Sequence, residues 1–159
     1  MWERLRRFSA MDANARGLFL RAAVLLPVIS VSLKIGGFRA TQKFLLRSLP
    51  DARQTSQKNS IHMVGDLERA ELTSRMVNAA IRHVWRASTC LEKSLALWWL
   101  LGRRGIASEL RIGARKLEGK FEAHAWVERD GLALNEAQQE HRHYAAFDAA
   151  FPLYSSEPL

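Results

Sequence analysis

The length and composition of the chain exclude several classes of protein. The chain has 159 residues, of which 48% are hydrophobic and 25% are charged. This is the size of a single domain with enough apolar material to bury a core, so a disordered polypeptide is excluded. The one cysteine, Cys90, excludes an intramolecular disulfide and any zinc site built on paired thiolates. A lone thiol also fits a reducing compartment, and we expect one compact cytoplasmic domain.

Basic side chains outnumber acidic ones and give the chain a formal net charge of +8. Such a charge attracts acidic peptides, nucleic acid or anionic lipid, and it does not distinguish among them. The arginines are scattered, with no RNA-recognition motif, no Cys/His finger and no interleaved aromatic residues for base stacking. We therefore expect a solvated basic face and no nucleic-acid partner.

The most apolar stretch is GLFLRAAVLLPVISVSL, residues 17–33. A transmembrane helix needs about 20 apolar residues, whereas this stretch contains Arg21 and Pro27 and has serines near its end. Lys34 follows where a signal peptide would have a small-residue cleavage site. We predict no membrane span, and we expect a buried or interface helix that is kinked or broken at Pro27.

Residues 1–50 are predicted to form an N-terminal helical region. Its helices are expected over residues 2–8, about 12–35 and 38–49. Asp12 or Asn14 is the expected N-cap of the second helix, and Gly36-Gly37 is its expected stop. Pro50 ends the third helix.

An exposed connection is predicted over residues 51–63, because the polar run DARQTSQKNS has only one apolar side chain, Ala52. The remaining residues, 64–159, are predicted to form the core region. Its first helix runs from Val64–Asp66 to Arg86. The apolar residues of that helix recur at helical spacing and are Leu67, Leu72, Met76, Ala80 and Val84.

Ser88-Thr89 interrupt this pattern, and a second helix is predicted from Cys90 to about Arg104, with Gly105 as its C-cap. The period then changes to alternation. Strands are predicted over residues 107–116 and 120–129, with Asp130-Gly131 as a tight turn into LALNE and a last strand near Phe151–Tyr154. One face of the second strand holds Phe121, Ala123, Ala125 and Val127, and the other holds Glu122, His124, Trp126 and Glu128.

The order of these elements suggests a chemistry. A helix begins with the only cysteine, antiparallel strands follow with a histidine in the second strand, and a carboxylate comes after the next turn. Papain-like thiol enzymes share this order. The start of a helix offers free N–H groups and a positive dipole end, and a neighbouring imidazolium stabilises a thiolate further. A third residue must orient the imidazole, while backbone N–H groups at the helix start bind an oxyanion.

The run CLEKSLALWWLLGRRGIASELRIGARK, followed by FEAHAWVERDGLALNE, resembles the transglutaminase-like cysteine peptidase family of lasso-peptide biosynthesis, the leader-peptidase (B2) component. The resemblance covers residues 90–136, where C-L-x-x-S-L-A-L, R-R-G-I and H-A-W-V-E-x-D-G-x-x-L-N have family-like order and spacing. It implies an α+β fold of the papain/transglutaminase type, in which an N-terminal helical layer packs on a small antiparallel sheet.

The resemblance also implies roles for individual residues. Cys90 matches the nucleophile and His124 the general base, while Glu136 stands where the family usually has the aspartate that orients the histidine. Asn135 is the alternative for that orienting role. Trp126 is expected to pack beside the site, and Trp126 and Asn135 are candidates for contact with substrate. Taken singly, each of these residues has an ordinary structural explanation; together, in this order, they favour a catalytic site.

The function implied is a cysteine endopeptidase that removes the leader peptide from a ribosomally made lasso-peptide precursor before macrolactam cyclisation, with no cofactor. Its implied partners are the precursor, a separate leader-binding protein and an ATP-dependent cyclase. A transglutaminase-like acyl transferase and a non-enzymatic helical binding module are the alternatives. No metal site is expected, because His141 and His143 lack the further ligands that a site needs. These two residues, His62 and His83 are expected at the surface.

Overall fold

The structure, a computed structural model, describes residues 11–49, 63–84, 88–135, 143–147 and 151–152. Helices come first in the chain and strands follow. They are α1 (Ala13–Arg47), α2 (Met63–His83), α3 (Cys90–Arg103), β1 (Glu109–Leu117), β2 (Lys120–Arg129), β3 (Leu132–Ala133), β4 (Ala145–Ala146) and β5 (Phe151–Pro152). The predicted α+β class is confirmed.

The strands form one antiparallel sheet in the order β3-β2-β1-β4, and β5 also pairs with β1. The two long strands lie where the alternating patterns predicted them. Two-residue turns join β1 to β2 at Glu118-Gly119 and β2 to β3 at Asp130-Gly131, and all four residues have positive φ. Paired positive φ angles match the twist of a two-residue hairpin turn. Asp-Gly adopts such angles readily, and it therefore predicts this turn correctly.

Helix α1 begins as predicted, since the Asp12 side chain accepts a hydrogen bond from the backbone N–H of Asn14. Of the expected kink or break at Pro27, the break is wrong, because the helix continues through Pro27, and a kink there stays a prediction; the non-helical angles lie at Gly37, with φ 69° and ψ −176°. Glycine reaches these angles because it lacks a Cβ. Gly37 therefore produces a kink between two helical segments at the predicted stop, and the second segment ends at Arg47 with Ser48 as its C-cap.

The hydrophobic core lies where the three helices meet one face of the β1–β2 hairpin. It includes Leu26 and Ile29 of α1, Val77 and Ala80 of α2, Leu97 and Trp98 of α3, Leu110 of β1 and Val127 of β2. Burial of each large side chain contributes about 1.5–3 kcal/mol. Helix α3 contacts both other helices and both long strands, so the helix is held from several sides.

The buried face of α2 differs from the predicted one. Of the residues expected there, Ala80 is buried, whereas Val84 lies beyond the helix and is exposed. The buried positions include Thr73 and Ser74, whose hydroxyls donate to the carbonyl oxygens of Arg69 and Leu134 at 2.7 and 2.6 Å. Bonded hydroxyls tolerate burial, so hydrophobic spacing alone misplaced the face.

By length and composition alone, α1 is long and apolar enough to cross a membrane, with a mean hydropathy of 2.0 in its most apolar window. One of its faces packs in the core described above, while 28% of that window is buried. The absence of a membrane span stays a prediction. The predicted helix over residues 2–8 and the predicted connection up to residue 62 lie outside the described residues.

Candidate active site

Cys90 is the first residue of α3, as predicted, and its side chain is half-buried. The helix starts here because of a capping box. The Thr89 hydroxyl accepts from the N–H of Glu92 at 3.3 Å, and a Glu92 carboxylate oxygen accepts from the N–H of Thr89 at 2.8 Å. The box does not use the N–H groups of Cys90 and Leu91, which belong to the open end of the helix, where an anion is favoured.

Ser94 joins this helix to the strand that carries His124. The Ser94 hydroxyl is fully buried, donates to the carbonyl oxygen of Ala125 at 2.8 Å, and accepts from the Asn135 amide nitrogen at 3.0 Å. Ser94 lies one helical turn after Cys90, about 6 Å along the axis. Ala125 directly follows His124 in β2. The first turn of α3 is therefore fixed against the backbone beside His124.

The direction of α3 decides which side of this contact Cys90 occupies. The helix ends at Arg103, and a short connection leads to Glu109 of β1, which lies opposite Glu128 near the end of β2. The C-terminal end of α3 is thus near the end of β2, and its N-terminal end extends toward the beginning of β2. Going back one turn from Ser94 leads to Cys90, and going back one residue from Ala125 leads to His124. Cys90 and His124 thus lie toward the same end of β2 relative to the Ser94 contact, and the meeting of their side chains stays a prediction.

The His124 ring lies in an aromatic environment. Its centroid is 6.2 Å from that of Trp126, with the planes 17° apart, and 4.9 Å from that of Tyr144, with the planes 31° apart. Gly113 is the cross-strand partner of His124 in β1. A Cβ at Gly113 would lie 3.1 Å from the Trp126 ring and 2.8 Å from the carbonyl oxygen of Ala145. Glycine therefore leaves the space in which the ring of Trp126 lies beside the histidine.

Tyr144 is a site residue that the sequence did not predict. It precedes the two-residue strand β4, which gives no detectable alternating pattern, and only the pairing of β4 with β1 brings it near His124. The Arg115 guanidinium lies 4.6 Å from the Tyr144 ring centroid and forms an ion pair of 2.7 Å with Glu122. The hydrogen bond to Glu122, offset in part by desolvation and helped by Tyr144, raises the pKa of Arg115 above its ordinary value.

The acidic residues that share the His124 face of β2 are both paired with arginines. Glu122 is bound by Arg115, and Glu128 accepts from Arg111 at 3.0 Å. These cross-strand pairs hold the hairpin in register on either side of His124. They also engage one oxygen of each carboxylate in an ion pair.

Trp126 and Asn135 are 2% and 5% exposed. The Asn135 side-chain oxygen accepts from the N–H of Val127 at 2.8 Å while its nitrogen donates to Ser94, so this amide ties β2 to α3. Its role toward His124, and the contact of both residues with substrate, stay predictions. Glu136 lies outside the described residues.

The remaining histidines and acidic residues are candidate metal ligands. Within the described residues no group of three or more His, Cys, Asp or Glu side chains is placed to hold a metal ion. His83 and His143 are exposed, as predicted, while His62 and His141 lie outside the described ranges.

A thiol at a helix start, fixed beside a strand that carries an imidazole, defines the class of protein: an α+β domain with the groups that cysteine-dependent acyl chemistry uses. A family model described as the transglutaminase-like superfamily matches residues 25–147, and the chain belongs to that superfamily. The superfamily includes cysteine peptidases and acyl transferases and is in general catalytic through a cysteine. No curated protein and no solved structure matched the chain.

Proposed function

We propose that this protein is a cysteine endopeptidase that cleaves the leader peptide from a lasso-peptide precursor in the cytoplasm. The observation that carries the proposal is the position of Cys90 at the open end of α3, one turn before the Ser94 contact to the strand of His124. The choice of a peptidase of lasso-peptide biosynthesis rests on the motif resemblance of residues 90–136.

The proposed reaction has two steps. In the first, the Cys90 thiolate attacks the carbonyl carbon between leader and core, and the N–H groups at the helix start stabilise the oxyanion. The C–N bond breaks, His124 gives its proton to the leaving amine, and the leader remains as a thioester on Cys90. In the second step, His124 takes a proton from water, the hydroxide attacks the thioester, and the leader carboxylate and the thiolate are released.

Glu136 is proposed as the positioning residue for His124. Its carboxylate would accept the second ring N–H and stabilise the imidazolium that forms in each step. The residue stands where the family resemblance places an aspartate, and the extra methylene lengthens its reach. Asn135 is the alternative, because an amide fills this role in some thiol enzymes.

The direct test is to incubate the purified protein with a precursor peptide and weigh the products. A peptidase yields two fragments whose masses sum to that of the precursor plus one water. An acyl transferase instead joins the acyl group of the substrate to an added amine. The substrate then releases ammonia or its own amine, and the product mass is that of the resulting adduct. The appearance of the adduct in place of the two fragments would reject the peptidase proposal in favour of the transferase.

Variants connect the products to the site. Cys90→Ala and His124→Ala should each abolish cleavage while the circular dichroism spectrum stays that of the parent. The double variant should be no less active than either single one, because the two groups act as a unit. His83→Ala, which removes an exposed histidine from the end of α2, is the matched control and should cleave at the parent rate. Retained cleavage by Cys90→Ala would exclude a nucleophilic thiol.

A further inference from the structure

Helix α1 has a second apolar face that does not pack in the core. Five large aliphatic side chains recur along it at intervals of three or four residues, which places them in one stripe. They are Leu20, Val24, Val28, Val31 and Ile35, with exposed fractions of 51, 67, 44, 53 and 84%. The buried residues of the same helix, such as Leu18, Ala22 and Ile29, lie on the opposite side. The stripe is about 22 Å long at 1.5 Å per residue.

The stripe widens into a groove where the second segment of α1 folds back beside the first. Pro27, Val28, Val31, Ser32 and Phe44 line this groove, which has a volume of about 440 Å³. Phe44 is itself 54% exposed. A continuous apolar surface of this kind, on a helix whose other side is already packed, is typical of a site that binds a protein or a membrane.

The charge of α1 indicates the kind of partner. Residues 13–47 contain no acidic side chain and six basic ones: Arg16, Arg21, Lys34, Arg39, Lys43 and Arg47. At 100° per residue, Arg21 borders the stripe on one side and Lys34 borders it on the other. Both are exposed. Long cationic side chains beside an apolar stripe place their charges at the level of lipid phosphates while the stripe enters the acyl region.

We infer that α1 binds the surface of an anionic lipid bilayer, with its axis in the plane of the membrane and the stripe facing the acyl chains. A contact between two copies through the same stripe is disfavoured, because it would bring cationic borders from both copies together. Insertion across the bilayer is disfavoured as well, because Leu26 and Ile29 would have to leave the core that they form with α2 and α3. The aliphatic stripe also lacks the polar groups that give a protein interface its directional hydrogen bonds.

The test is sedimentation of the full chain with vesicles of phosphatidylcholine alone or of phosphatidylcholine with one quarter phosphatidylglycerol. We expect the protein to pellet with the anionic vesicles, to stay in solution with the neutral ones, and to be released as salt is raised from about 0.1 to 0.5 M. The double variant Val24→Asp/Val31→Asp should lower the partition coefficient at least tenfold. Both positions are exposed, so the fold should be retained, and circular dichroism checks this.

Matched controls separate the stripe from a general effect of charge. Phe121→Asp/Leu132→Asp, at two other exposed apolar positions and with the same change in net charge as Val24→Asp/Val31→Asp, should bind much more strongly than that variant does. Arg21→Glu/Lys34→Glu should weaken binding strongly, whereas Lys116→Glu/Lys120→Glu, with the same change in net charge, should have a smaller effect. Three outcomes would overturn the inference: no binding to anionic vesicles, full binding by Val24→Asp/Val31→Asp, or a parent dimer in light scattering that this double variant converts to a monomer.

Discussion

At the scale of single residues, the Ser94 hydroxyl connects three parts of the site. It donates to Ala125 in β2 and accepts from Asn135 after β3, and it sits one turn from Cys90. A buried hydroxyl with two partners is costly to remove, because the carbonyl and the amide left behind have no water to bind. The position of the start of α3 against the strand of His124 therefore depends on these two hydrogen bonds of Ser94.

We predict that Ser94→Ala lowers the free energy of unfolding by about 1–3 kcal/mol. The matched control is Ser108→Ala. Ser108 is also buried, but its hydroxyl has no hydrogen-bond partner among the described residues, so its removal should be neutral or stabilising. Urea unfolding of the two variants and the parent measures the difference. Equal losses from both variants would show that the Ser94 contacts do not stabilise the fold.

Glu136 gives a second prediction at this scale. If its carboxylate stabilises the His124 imidazolium, Glu136→Gln should lower kcat on the order of a hundredfold or more with little change in KM, because the amide keeps the size and loses the charge. Glu136→Asp should retain part of the activity. Steady-state kinetics on a precursor peptide make the comparison, and parent-like kcat in Glu136→Gln would transfer the positioning role to Asn135.

At the scale of elements, the two halves of α1 are joined by a backbone conformation that side chains disfavour. Gly37 has φ 69° and ψ −176°, a region that is almost restricted to glycine. The kink folds the second segment back so that Leu45 reaches the core and Trp99 of α3 donates to the Leu45 carbonyl oxygen at 3.1 Å. The angle between the two segments of α1 thus brings the second segment into contact with α3.

We predict that Gly37→Ala destabilises the protein by about 1–3 kcal/mol, through backbone strain alone, because a Cβ there meets nothing within 4 Å. Gly17→Ala is the matched control in the same helix. Its Cβ also has open space, but Gly17 has helical angles, so alanine should stabilise by about 0.5–1 kcal/mol. Thermal unfolding of both variants is the measurement, and a shift of the same sign in both would contradict the strain argument.

At the scale of the whole molecule, we propose that the peptidase recognises its substrate together with a separate leader-binding protein. A short segment around a scissile bond offers little binding energy, and a leader held by a separate protein raises the effective concentration of that bond near Cys90. We predict slow cleavage by this chain alone and faster cleavage when the leader-binding protein is added at substrate levels far below saturation. Equal initial rates by mass spectrometry, with and without that protein, would favour a self-sufficient peptidase.

Local features of this protein were determined by the sequence itself. The start of α3 at Cys90 follows from Thr89 and Glu92, three residues apart, and the β2–β3 turn follows from Asp130-Gly131. Because helix starts and strands have local signals, the sequence also predicted a cysteine at a helix start followed by a histidine on a strand. Capping and turn formation involve neighbours in the chain, so a short window of sequence contains all of the interacting groups.

Only the tertiary structure decided which of these features meet. Ser94 bonds to Ala125 across 31 positions of the chain and to Asn135 across 41. Tyr144 reaches His124 because β4 pairs with β1, and the burial of Ser74 in α2 depends on the carbonyl oxygen of Leu134, which accepts from its hydroxyl. Such contacts form when the helices and the sheet pack into a shared core. The hydrophobic pattern of one element predicts its apolar face, and it does not predict which residues of another element will pack there.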